Sequence, residues 1–171
     1  VRQVLLVFDA RRSPLRTPAP GAGAAPDERS AADTIAVLLE RARAAGAPVV
    51  FVRGDGSAGD PGRSGTPGGE PVHEALPGEH VIDGHAPDAF DGTDLAWVLP
   101  PVASVVVAGM RSERSVRETS LAALARGHAV TLVRGVRAAC DGDEPAAVVS
   151  RRVEEELTAA GAMVATPYEL F

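Results

Sequence analysis

Short apolar runs recur along the chain at residues 4–8, 49–52, 81–82, 105–108 and 163–164, with Val130-Thr-Leu-Val133 broken only by a threonine, and longer stretches of mixed polarity separate them. Runs of four or five consecutive apolar residues, rich in valine and leucine, are the pattern of strands covered on both faces. Several of the intervening stretches carry helical periodicity. Ile35, Leu38, Leu39 and Ala42 form one apolar stripe that ends ahead of Gly46, and Ser30-Ala-Ala-Asp33 before it reads as a capping box with an acid in its last position. Thr93 is placed to cap a short helix through Val98, and residues 112–126 form a longer one stopped by Gly127. Residues 145–160 are helical, with Val148, Val149, Val153 and Leu157 on one side.

Strands that alternate with helices predict βαβ units and a parallel sheet. The sequence therefore predicts an α/β fold, a three-layer sandwich whose mainly parallel sheet has about six strands, flanked by helices on both faces. The strands are expected to start near residues 4, 49, 80, 104, 129 and 162. Two segments interrupt the pattern. Residues 13–28 are rich in Pro, Ala and Gly and read as a loop. Residues 54–78 are also Gly/Pro-rich and too long for an ordinary connection, which points to a functional or mobile loop. No internal repeat or second-domain boundary is visible, so residues 1–171 are expected to form a single domain.

Composition narrows the function classes. The chain is 45% apolar but only 4% aromatic, so its core must be built from small and β-branched side chains. All 17 basic residues are arginine, which removes lysine-based chemistry, Schiff bases included. A net charge of -6 with no basic stripe argues against nucleic acid as a partner. No apolar run approaches the roughly 20 residues that span a bilayer, and no charged and apolar leader precedes the first strand. The one cysteine, Cys140, excludes an intrachain disulfide and a multi-cysteine zinc site. A cytoplasmic protein without membrane contact is the expectation.

Ligands of open parallel sheets bind beyond the carboxyl ends of the strands. Three positions fall there. Asp9 ends Leu5-Leu-Val-Phe-Asp9, Gly84 ends the third strand in Val81-Ile-Asp-Gly84, and Ser115 follows the fourth strand in Ala108-Gly-Met-Arg-Ser-Glu-Arg-Ser115. These segments, with Gly65-Thr-Pro-Gly-Gly69, Asp88-Ala-Phe-Asp-Gly-Thr-Asp-Leu95 and Ser115-Val-Arg-Glu-Thr119, resemble the isochorismatase-like (cysteine hydrolase) family over nearly the whole chain. The middle match is the specific one, since Ala89, Phe90, Thr93 and Leu95 share the family's spacing without a gap.

The resemblance implies a Rossmann-like hydrolase fold and a site with one of three catalytic side chains kept. In the family's amide hydrolases an aspartate is the general base, a lysine lowers the thiol pKa and helps hold substrate, and a cysteine attacks the carbonyl. Asp9 matches the aspartate, Gly84 stands at the lysine position with no side chain, and Ser115 stands at the cysteine position. A serine beside a carboxylate, without histidine or lysine, is a poor nucleophile at neutral pH. Isochorismatases of the family also lack the cysteine and hydrolyse a vinyl ether with the aspartate as proton donor, a role Asp9 can take if burial raises its pKa. Arg11, Arg12 or Arg111 could supply the positive charge that position 84 lacks.

Other candidates have plainer readings. Strand alternation turns His85 away from the face used by Gly84. Cys140 reads as a loop-edge thiol. His73 and His80 with Asp55, Asp60 and Glu74 have no recognised ligand spacing and read as surface residues, so no metal is expected. Asp141, Asp143 and Glu144 suit the N-terminus of the last helix better than a calcium site. Glycine runs such as Gly54-Asp-Gly-Ser lack a P-loop lysine, and no cofactor is expected.

Two function classes follow. One is a hydrolase of a small molecule with Asp9 as general acid or base; the other is a catalytically inactive ligand-binding or assembly protein on the same fold. Cysteine-dependent amidase activity is not expected. The resemblance also implies a homodimer or higher homo-oligomer. The alanine-rich helix starting near Ser112 and the last helix are the expected contact surfaces.

Overall fold

A computed structural model of the 171-residue chain describes residues 2–8, 26–54, 71–109, 113–136 and 146–171. Six strands form one sheet: β1 (Gln3–Phe8), β2 (Val49–Gly54), β3 (His80–Gly84), β4 (Ser104–Gly109), β5 (Ala129–Val133) and β6 (Met163–Ala165). Their order is β3-β2-β1-β4-β5-β6, and every neighbouring pair is parallel. Four helices accompany them, α1 (Pro26–Ala44), α2 (Leu95–Val98), α3 (Glu113–Ala125) and α4 (Ala146–Ala159). The strand order reverses at β1, whose two neighbours are β2 and β4, and this is the switch point of the sheet.

Alternation along the strands sorts the core into two layers. Val4, Leu6 and Phe8 pack with Val50, Val52, Ile82, Val105 and Val107 on the face that receives α3 and α4 through Val116, Ala123, Val153 and Leu157. Leu5 and Val7, with Val49, Phe51, Val106 and Ala108, face α1 through Ala31, Ile35, Leu38, Leu39 and Ala42. The central strands are thus apolar on both faces, which is why their sequence shows no polar alternation. On the edge strand β3 the alternation returns, with Val81 and Asp83 exposed and Ile82 and Gly84 buried.

The long helices stop in one way. After α3, Gly127 takes φ +84°, its N–H binds the Leu124 carbonyl, and the N–H of His128 reaches back to Ala123. This is the paired bonding of a glycine-terminated helix, and it satisfies carbonyls that the helix itself leaves open. Gly46 after α1 and Gly161 after α4 repeat the pattern, with Ala47 bonded to Ala42 and Ala162 to Leu157.

Three expectations change in detail. First, α1 begins at Pro26 and so occupies the end of the segment read as loop. Proline fits the first turn of a helix, where its missing N–H has no partner to lose. Second, Ser30 accordingly lies inside α1 and caps nothing; its carbonyl accepts the Thr34 hydroxyl at 2.8 Å. Third, Asp94 holds the cap position of α2, although the Thr93 hydroxyl still accepts the Leu95 N–H at 3.1 Å. In addition, α3 and α4 pack on each other: the Arg117 guanidinium grips Glu156, with Nε 2.7 Å from Oε2 and the second contact from Nη2 to Oε1.

One element was not foreseen. A 3-10 turn at Pro167–Glu169 follows β6, closed by Glu169 Oε2, which accepts both the N–H and the hydroxyl of Thr166 at 2.7 Å. Arg41 of α1 holds the segment after it. Its guanidinium donates to the carbonyls of Leu170 at 2.9 Å and of Tyr168 and Phe171 at 3.3 Å, and Leu170 is buried.

Candidate functional site

A cleft opens at the carboxyl ends of β1, β2 and β3, lined by Phe8, Val52, Arg53, Gly54, Gly84, Ala86, Pro87, Ala89 and Ser115. Its volume is about 20 Å³, space for a water and little more. Gly84 and Ser115 therefore share one cleft although they are far apart in sequence. Gly84 is brought there by the end of β3, where it pairs in register with Gly54 of β2. Ser115 is half-buried in the first turn of α3, where the helix dipole favours negative charge.

Asp9 lies outside the described residues, as do Arg11, Arg12, Arg111, Cys140, Asp55, Asp60, Asp141, Asp143, Glu144 and the glycine-rich 65–69 segment. What the fold does show is the residue before Asp9: Phe8 ends β1 and lines the cleft with Gly84 and Ser115.

The two glycines of the site differ physically. A Cβ on Gly84 would meet the Arg53 carbonyl at 3.7 Å and the Ala86 carbonyl and Val52 Cγ1 at 3.9 Å, all ordinary contacts. Neither sterics nor backbone conformation requires glycine there. A Cβ on Gly109 would instead stand 2.9 Å from Phe8 Cβ and 3.2 Å from Val116 Cγ2. Gly109 is what lets β4 approach β1 and α3 closely behind the cleft.

The wall at 86–89 is held by side chains whose contacts no local sequence pattern predicts. Thr119, fully buried on α3, accepts the Ala89 N–H at 2.9 Å and donates to the Pro87 carbonyl at 3.2 Å. The Thr93 hydroxyl donates to the Ala89 carbonyl at 2.5 Å, and Asp88 Oδ1 accepts the Phe90 N–H at 2.9 Å. Phe90 is buried, with the Arg126 guanidinium carbon 4.3 Å from its ring centroid and His128 stacked at 6.3 Å and 14°. His128 Nδ1 accepts the Ala103 N–H at 3.2 Å, and burial, then the nearby Arg126 charge, lower its pKa. The match to the family at Ala89, Phe90, Thr93 and Thr119 was the available signal, but the hydrogen bonds are between segments distant in sequence.

The remaining histidines lie elsewhere. His85 is exposed, opposite in parity to buried Gly84. His80 and Glu74 are exposed. His73 Nε2 lies 3.0 Å from the Ala32 carbonyl, a contact that ties the chain before β3 to α1; desolvation lowers its pKa. The same segment is fastened by Arg43, whose Nε and Nη2 bind Glu79 at 2.7 and 2.9 Å, an ion pair that holds the Glu79 carboxyl below its usual range. Among the described residues no three His, Cys, Asp or Glu side chains are grouped to hold a metal ion.

The cleft lies where the carboxyl ends of β1, β2 and β3 meet the first turn of α3, the end of the sheet at which open parallel α/β folds bind ligands. The chain belongs to the isochorismatase family: the model of the isochorismatase domain matches residues 3–166. It is 36% identical over 165 residues to a streptothricin hydrolase of Streptomyces noursei, covering 89% of this chain and 58% of that protein. A second streptothricin hydrolase of the same organism is matched at 36% over 64% of its length, so this chain spans about three fifths of these relatives. Among solved structures, an isochorismatase from Pseudomonas putida superposes with a TM-score of 0.79 at 30% identity, over 99% of this chain and 90% of that one. A pyrazinamidase from Pyrococcus horikoshii, solved in complex with zinc, gives 0.75 at 26% identity over 97% and 99%. Among the described residues, no helix is long and apolar enough to cross a membrane.

Proposed function

We propose that this domain hydrolyses a small molecule without a cysteine nucleophile, with Asp9 as general acid or base beside Ser115 and Gly84. The observation that carries this reading is the shared cleft: Ser115 and Gly84 line it together with Phe8, the residue bonded to Asp9. At Gly84 no ammonium group is available to stabilise a thiolate, and Ser115 offers a hydroxyl for hydrogen bonding rather than a strong nucleophile. Asp9 then carries the proton. With a vinyl ether it protonates the alkene carbon, water adds to the resulting oxocarbenium carbon, and the alcohol leaves to give a carbonyl product. With an amide it takes a proton from the attacking water and returns it to the departing amine. The identity to streptothricin hydrolase makes streptothricin the first substrate to try.

The test is turnover of streptothricin and a panel of vinyl ethers, amides and esters by wild type, Asp9→Asn and Ser115→Ala. Asp9→Asn is expected to abolish turnover. Ser115→Ala is expected to lower it by about 10-fold, the loss of a hydrogen bond worth about 1.4 kcal/mol in the transition state. No Asp9-dependent turnover across the panel would overturn the hydrolase reading.

The second reading is a catalytically inactive ligand-binding or assembly protein. It is favoured by the small volume of the cleft, about 20 Å³, and by the apolar side chains of Phe8, Val52, Ala86, Pro87 and Ala89 around it. Calorimetric binding of a panel compound that is never consumed would select it. In either case we propose a homodimer or higher homo-oligomer in a cytoplasmic setting. The contact surfaces proposed are the sides of α3 and α4 turned away from each other, where Val148 of α4 is exposed. Light scattering that finds a monomer at micromolar concentration would count against association.

A further inference from the structure

We infer that Thr119 is a positioning residue for this site: with Thr93 it clamps the peptide groups of Ala89 and fixes the cleft wall at 86–89 against the helix that carries Ser115. The inference rests on the hydrolase reading for its consequence in turnover, but its geometry stands apart from that reading.

Thr119 lies four residues after Ser115 in α3, so both side chains are on one face of the helix. Its hydroxyl is a donor and an acceptor at once. It accepts from Ala89 N–H and donates to the Pro87 carbonyl, at 2.9 and 3.2 Å. Ala89 is held from its other side, where its carbonyl accepts the Thr93 hydroxyl at 2.5 Å. Pro87, Ala89 and Ser115 all line the cleft. One buried oxygen therefore joins two of the wall residues to the helix bearing the third.

A structural role alone would ask only that the buried Ala89 N–H find a partner. The arrangement does more, because the two residues whose peptide groups Thr119 restrains, Pro87 and Ala89, line the cleft together with Ser115. Catalytic geometry is sensitive to displacements of about 1 Å, which can cost on the order of 100-fold in rate. Serine preserves both hydrogen bonds at position 119. Valine preserves shape but leaves an N–H and a carbonyl unanswered in a buried setting.

The experiment compares Thr119→Val and Thr119→Ser with wild type, and adds Thr93→Val, which loosens Ala89 from its half-buried side. kcat and KM are measured on the best substrate of the panel, along with thermal midpoints and amide hydrogen exchange. Thr119→Val is expected to lower kcat by about 10-fold or more while KM changes by less than about 3-fold, and Thr119→Ser to stay within about 3-fold of wild type. Thr93→Val is expected to fall between them; it also serves if Thr119→Val does not fold. Lower midpoints with unchanged kcat and KM would overturn the inference, leaving Thr119 as a buried satisfied hydroxyl. If the wild type turns over nothing, the hydrolase reading is what fails. The clamp is then judged by exchange in Thr119→Val or Thr93→Val: faster exchange at Ala89 with altered amide shifts at Gly84 and Ser115 supports it, and unchanged exchange and shifts overturn it.

Discussion

Phe8 and Gly109 are register partners at the shared end of β1 and β4, and a Cβ on Gly109 would lie 2.9 Å from the Cβ of Phe8. Both atoms would be fixed to strand backbone, so neither could rotate away. With Val116 Cγ2 only 3.2 Å from the same point, relief would require β4 or α3 to shift. Gly109→Ala is expected to destabilise the domain by about 1–3 kcal/mol, the usual cost of overpacking a full core. Calorimetry should show a midpoint several degrees lower; an unchanged midpoint would mean that the two strand ends are not packed this closely.

Gly84 should behave in the opposite way. Its Cβ would find only contacts of 3.7 Å or more. Gly84→Ala is expected to be neutral or to stabilise by up to about 1 kcal/mol, because alanine reduces the freedom of the unfolded chain. Thermal melting checks this.

The periodicity of the sequence was a good guide to the interior of each element and a poor one to what joins elements. Strands beginning with continuous valine and leucine runs, such as β1, β2 and β4, were legible because burial on both faces leaves no other residue types. The start of α1 falls inside a stretch whose Pro/Ala/Gly richness predicts a loop, because proline suits the first turn of a helix as well as it suits a loop. The strand order, the packing of α3 on α4, and the hydroxyl of Thr119 on Ala89 depend on contacts across 25 or more positions, and no local pattern encodes them. At the candidate site, Gly84, Ser115, Thr93 and Thr119 all fall in segments that match the family's spacing; the hydrogen bonds by which the two threonines hold Pro87 and Ala89 have no counterpart in that spacing.

His128 gives the fold a dependence on mildly acid pH. Its Nδ1 must be unprotonated to accept the Ala103 N–H, and burial and Arg126 lower its pKa from the ordinary 6.5. Above that value folded and unfolded chains are both neutral at this residue, so stability is complete. As the pH falls below about 6.5 the unfolded chain takes up the proton first, and stability is lost. His73, also lowered, acts in the same direction. Urea midpoints should fall between pH 7.5 and 5.5, and His128→Gln should flatten part of that fall. A wild-type midpoint that does not change across this range would refute the assignment. The lowered Glu79 carboxyl adds a separate loss only at lower pH, around and below its ordinary 4.5.

Arg41→Ala removes three donors from the carbonyls of Tyr168, Leu170 and Phe171. A cost of about 1–2 kcal/mol is expected, given partial exposure, and Arg41→Lys should not restore it because an ammonium cannot span the three acceptors. Faster proteolysis after residue 166, read by mass spectrometry, checks the prediction. Unchanged cleavage would show that Leu170 burial alone holds the segment.

Under the proposed reading, in which Ser115 stands at the family's cysteine position, Cys140→Ala is expected to leave any hydrolysis unchanged. Amide turnover abolished by this variant would restore a thiol mechanism.

The glycine-terminated helix ends have a consequence for how such a domain can diversify. Each of Gly46, Gly127 and Gly161 turns the chain from a helix into the next strand within a few residues, so the rim of the sheet at the start of β2, β5 and β6 is built from short connections of one repeated geometry. The opposite rim receives the long connections 9–25, 55–79 and 134–145, which follow β1, β2 and β5. Insertions, deletions and new side chains can therefore accumulate beside the cleft while the foundation remains the same length. A lineage can change what it admits to the site by rewriting one edge of the sheet and leaving the other untouched.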